Sequence, residues 1–166
     1  MSKKNLKVIG FILLVLLIDI FRPFGYFFLV NTTFLTLVAL SFYNNRFFIV
    51  FLSLLAGFSQ DSLIFSSNLF YAIEFPLIVI AAFSLNNLLK FIKTRKHPLL
   101  AKTIIAAFLI LVHSFLNNLR TNSINFLFLI YFFSQSFLVF FLIDNILEKT
   151  LKVRRHQPLK KSNYAA

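Results

Sequence analysis

The sequence predicts an all-α polytopic membrane protein, a six-transmembrane-helix bundle with both the N and C termini cytoplasmic. Three observations predict it. The 166 residues are 59% hydrophobic and only 13% charged, which is more apolar than a soluble domain and about half as charged. Apolar runs approaching the roughly 20 residues that a spanning helix needs recur along the chain between short polar turns. The basic residues also sort by side. With six spans, Lys3, Lys4, Lys7, Arg46, Lys90, Lys93, Arg95, Lys96, Lys102, Lys149, Lys152, Arg154, Arg155, Lys160 and Lys161 fall in the cytoplasm, and only Arg22 and Arg120 fall outside. The 17 basic residues therefore divide 15 to 2, as expected when Lys and Arg stay inside. Five spans would expose either the N-terminal lysines or the basic tail.

The opening MSKKNLKVIGFILLVLLIDIF is basic and then apolar, like a secretory signal. It has no small-x-small cleavage site and runs into Asp19, Phe21, Arg22 and Pro23, so it reads as a retained first span over about 6–22. Asp19 and Arg22 are three apart on one helical face and can pair near the outer surface, with Arg22 snorkelling. Pro23 and Gly25 punctuate the chain. A second span covers about 26–43, with Asn31, Thr32, Thr33 and Thr36 towards its start, and Asn44-Asn45-Arg46 forms a tight turn. The third and fourth spans cover about 47–60 and 69–89. The basic loop KFIKTRKHP leads to a fifth span over 99–116. The turn 117–123 precedes the aromatic sixth span, 124–143. The bundle thus occupies 1–148, and 149–166 is a basic cytoplasmic tail. Asp19 and Arg22 interrupt a nearly continuous run from Val8 to Val30, so the cut between the first two spans is the least determined.

Composition narrows the chemistry. Without cysteine, disulfides, thiolate metal sites and cysteine nucleophiles are excluded. The 25 phenylalanines accompany abundant Leu, Ile, Asn and Lys, as an A- and T-rich genome produces without any stacking function. A net charge of +12 would point to nucleic acid in a soluble protein. Here the cations lie in short runs between greasy segments, where topology and anionic lipid account for them, and no nucleic-acid partner is expected. Lys90, Lys93, Arg95 and Lys96 are the lipid-headgroup candidates. His113 stands alone in the fifth span, with no His or acid three or four residues away to make a metal pair. No GxSxG, Walker loop or HExxH occurs. No catalytic residue, metal or cofactor is expected.

The most informative stretch is 47–76, which reads as two apolar helices about a short turn. Ser53, Gly57 and Asp61 are four apart and stack on one face. Small residues at that spacing let another helix approach closely. Asp61 would end that face near the surface, either as part of it or as a solvated loop acid. Glu74 lies inside the fourth span, two residues before Pro76. An acid at mid-span costs on the order of 2.5–3.5 kcal/mol on insertion scales and normally has a partner. Two readings stand. Glu74, Asp61, Arg22 and Arg120 form an outward polar cluster that docks a partner or holds a ligand, or Glu74 is a snorkelling acid paired with Arg22 or Arg120.

A polar start to the second span, an apolar helix ending in Gly-x-x-x-Asp (here AGFSQD, Gly57 and Asp61), a short outer turn and another greasy helix resemble the rod-shape-determining membrane protein family MreD. The resemblance covers roughly 31–89. It implies a non-enzymatic, multi-pass subunit of the bacterial cytoplasmic membrane within the cell-elongation machinery. Such a subunit would bind an MreC-like bitopic partner and, through it, the wall-synthesis enzymes of peptidoglycan. The alternative is a substrate-binding subunit of an energy-coupling-factor vitamin transporter, a class of similar size thought to share the MreD fold. Those subunits usually carry small residues along the first helix, where this chain has VIGFILLVLLIDIF with only Gly10.

Overall fold

The computed structural model describes residues 3–21, 30–63, 69–91, 98–120 and 126–151. Among them the chain forms six helices and no strand: α1 (Lys3–Phe21), α2 (Thr32–Ser41), α3 (Arg46–Leu63), α4 (Phe70–Phe91), α5 (Pro98–Arg120) and α6 (Phe126–Thr150). The all-helical expectation holds. By length and composition three helices can cross a membrane, over Phe70–Leu88, Leu100–Leu119 and Leu129–Thr150. These mark the chain as a membrane protein.

The bundle is arranged about α2. Its sequence, TTFLTLVALS, carries no charge and is apolar or weakly polar on every side, the pattern of a helix enclosed by others. All ten of its residues are buried, and it touches each of the other five helices. Phe34, Leu37, Val38 and Leu40 form the centre of a core completed by Ile49, Phe75, Val79, Ile105, Ile110 and Phe140. Outward, the long helices show large apolar side chains at mid-length: Leu77, Phe108 and Leu138 are each more than half exposed. A soluble monomer does not offer so much greasy surface.

Several boundaries differ from expectation. The described α2 rises only about 15 Å, half the thickness of a bilayer core; residues 26–29, the start of the expected second span, lie outside the described residues. α3 runs on to Leu63, so Asp61 is helical and buried rather than in a solvated loop. α5 continues through Asn117 and Asn118 to Arg120, because two polar residues at the end of a packed helix do not stop it without a Gly or Pro. α6 likewise continues through Asp144 and Glu148 to Thr150.

Candidate functional site

Three polar centres tie the helices together. The first joins α3 to α4, the most extensively packed pair. The opening N–H groups of any helix have no partner within it. At α4 the N–H groups of Tyr71 and Ala72 donate to the two oxygens of Asp61, at 3.1 and 2.8 Å. The cap therefore comes from another helix, and its charge complements the positive end of the α4 dipole. Gly57, one turn before Asp61, makes the approach possible. A Cβ there would lie 2.3 Å from the Tyr71 carbonyl oxygen and 2.6 Å from Ala72 Cα. Ser53 continues the same buried face, its hydroxyl donating to the Val50 carbonyl at 2.7 Å. Asp61→Ala leaves two buried N–H groups without acceptors. It should cost about 3 kcal/mol, and Asp61→Asn, which keeps one acceptor, about half of that; thermal unfolding in detergent checks the ranking.

Asp19 repeats the device at α2. Its Oδ1 accepts from the N–H and hydroxyl of Thr32 at 3.0 and 2.6 Å, and its Oδ2 from the N–H of Thr33 at 2.7 Å. Gln60 donates to the same Oδ2 at 3.2 Å and receives the Asn31 amide at 2.9 Å. Asn31 itself caps α2 by accepting from the Phe34 N–H at 2.8 Å. Asp19, expected to pair with Arg22, makes these bonds to α2 and to Gln60 of α3; Arg22 lies outside the described residues.

The second centre is buried between α4 and α5. His113 Nδ1 and Glu74 Oε1 are 2.6 Å apart, with both side chains at least 95% buried. The contact places a proton on Nδ1 when the carboxyl is ionised. The imidazole stacks on Phe34, ring centres 3.9 Å apart and planes 14° from parallel, and the Phe132 ring lies 6.2 Å away, tilted by 45°. Glu74 Oε2 and His113 Nε2 have no partner among the described residues. Beside the pair, Phe70, Ile73, Glu74, Leu77, Ile78 and Ala81 of α4 face α5 across a groove of about 410 Å³.

The third centre lies at the opposite end of α5. Lys102 pairs with Asp144 of α6 and donates to the Tyr43 hydroxyl. Tyr43 Oη in turn donates to Asp144 at 2.9 Å. The ammonium sits 4.3 Å from the Tyr43 ring centre, an additional cation–π contact. Lys4 reaches the Tyr43 carbonyl at 2.7 Å, bringing α1 to the same point. Lys102→Ala would leave a half-buried carboxylate without its cation. It should cost about 2 kcal/mol, with most of that recovered in Lys102→Met/Asp144→Leu, as melting of the single and double variants would report.

Of the residues singled out from sequence, the structure brings Ser53, Gly57 and Asp61 together against α4 and places Glu74 on a separate partner. The side chains of Arg22, Arg120, Lys90, Lys93, Arg95 and Lys96 lie outside the described residues. Sequence reasoning missed His113, because its acid comes from another helix 39 positions away and not from its own. It also missed Lys102, Tyr43 and Asp144. The signal that could have found them is a charge of each sign sitting just inside the end of an apolar helix. The chain matches no protein-family model, no curated protein and no solved structure.

Proposed function

We propose that the protein is a non-enzymatic, six-span subunit of the bacterial cell-elongation machinery, of the MreD type, in the cytoplasmic membrane with both termini inside. It holds an MreC-like bitopic partner and, through it, helps organise the enzymes that build peptidoglycan. The observation that carries the reading is the joint between α3 and α4. The two residues of the Gly-x-x-x-Asp pattern have one shared task there, Gly57 admitting the α4 backbone and Asp61 capping it. A scaffold subunit needs a rigid pair of helices to present a fixed apolar face, and that joint supplies one. The contacts of Gly57 and Asp61 are met inside the chain, so the partner-facing surface is the outward apolar side of the bundle. Within lipid, such a surface binds another helix through packing and a few hydrogen bonds.

Depletion followed by microscopy tests the role. Loss of the protein should turn rods into wider, rounder cells, and a tagged copy should retain an MreC-like protein through detergent extraction. Unaltered cell width together with no such partner would remove the proposal. Retention of coupling-factor ATPases instead would place the chain with the vitamin transporters.

A further inference from the structure

Helices α1 and α3 touch along the bundle and are tied near both ends. At one end Lys4 of α1 donates to the carbonyl of Tyr43, in the turn that leads into α3 at Arg46. At the other end Gln60 of α3 donates to Asp19 of α1. From Lys4 to Asp19 helix α1 rises about 22 Å, and from Arg46 to Gln60 helix α3 rises about 21 Å. The two helices therefore run parallel and level. Lys7 lies one turn beyond Lys4, so Lys4, Lys7 and Arg46 share one end of the pair.

The charge at that end is uncompensated. All three cations are exposed, and the ion pairs among the described residues use none of them. Neither helix has an acid in its first turn, where an acid would offset both the cations and the helix dipole. Asp19 and Asp61, the acids of α1 and α3, lie towards the far end and cap α2 and α4. Asp144, at the level of Tyr43, is taken by Lys102. Beside the cations the surface turns at once to hydrocarbon. Leu6, Leu13 and Leu14 of α1 and Phe47 and Phe51 of α3 are each more than half exposed. Gly10, one turn above Lys7, leaves open space where a side chain would stand. An acidic peptide in water would match the cations alone, whereas an anionic amphiphile matches both parts of this surface.

We infer that this end of the α1/α3 pair is a binding site for an anionic phospholipid, with its phosphate among Lys4, Lys7 and Arg46 and its acyl chains along the exposed side chains above them. The site selects by net charge. Every phospholipid brings a phosphate and hydrocarbon, but a choline head also brings a cation that the three basic side chains repel, and a glycerol head does not. The surface is formed by helices other than the two that flank the basic run 90–96.

Competition between two photoreactive lipids tests it. The full chain is placed in phosphatidylcholine vesicles with a trace of phosphatidylglycerol or phosphatidylcholine that carries a diazirine near the carboxyl end of one acyl chain, and labelled peptides are mapped by mass spectrometry. The glycerol lipid should label 6–14 and 47–55 about tenfold more than the choline lipid, which is about 1.4 kcal/mol and less than half of what three cations near an anionic surface can supply. Lys7→Gln and Arg46→Gln, both at exposed positions, should each lower that ratio to about fivefold and together to about twofold. Salt at 1 M, where charges more than about 3 Å apart are screened, should also lower it. Lys149→Gln, at the same level on α6, should leave it unaltered. Equal labelling by the two lipids, or a ratio that falls as far with Lys149→Gln as with Arg46→Gln, would overturn the inference, the second result by showing only the field of the whole basic face. Displacement of the label by glycerol phosphate or an oligoglutamate peptide would also overturn it, assigning the cations to a soluble anion. No elongation partner is present in the vesicles, so the outcome is independent of the scaffold role.

Discussion

Gly57→Ala should destabilise the protein by about 3 kcal/mol or more, a large effect for one added methyl group. The methyl carbon would arrive 2.3 Å from the carbonyl oxygen of Tyr71 and 2.6 Å from the Cα of Ala72. Both obstacles are backbone, so no rotamer change relieves the clash and α4 as a whole must move away. That movement stretches the hydrogen bonds from Tyr71 and Ala72 to Asp61, adding lost capping to overpacking, which alone costs about 1–3 kcal/mol. The comparison is Gly10→Ala in α1, where an added Cβ meets nothing within 4 Å. There the gain in helix propensity should stabilise by about 0.5–1 kcal/mol. Unfolding of the three proteins in one detergent, followed by loss of a monodisperse size-exclusion peak on heating, checks the pair. Equal midpoints for both variants would show that α3 and α4 are not held as close as the structure has them. A Gly57→Ala variant that stays folded but loses its elongation partner would locate the partner contact at this joint.

This joint was largely readable in the sequence. A four-residue spacing is a local property, and Ser53, Gly57 and Asp61 fall on one face of any helix built through them. What could not be read was the object opposite that face. The loop between Gln60 and Leu69 is short, so α4 was the natural neighbour, yet nothing local says that Asp61 reaches the α4 N–H groups and not water. The same limit applies to α2. The sequence marked it as part of a second span over about 26–43, but its place against all five other helices follows from packing that no single segment encodes. Glu74 stood out because an acid inside an apolar run needs a partner. The candidates considered were arginines, the residues of opposite formal charge. His113 was passed over because a partner was sought within its own helix, whereas the acid comes from another helix, 39 positions away.

Breaking that pair from either side should be costly, and removing it whole should not. Glu74→Leu strands the His113 ring against Phe34 with neither nitrogen partnered among the described residues. His113→Leu strands a carboxyl group whose second oxygen is already without a donor. Each should cost about 3–5 kcal/mol, the usual result of leaving half of a buried pair. The double variant, with two leucines in an apolar setting, should recover most of the loss, because well-packed apolar side chains replace such pairs at little or no cost. A double-mutant cycle on thermal unfolding should then return a coupling of about 5 kcal/mol or more, the two single losses together less the small loss of the double variant. Additive single effects, within about 0.5 kcal/mol, would mean that the two side chains do not interact.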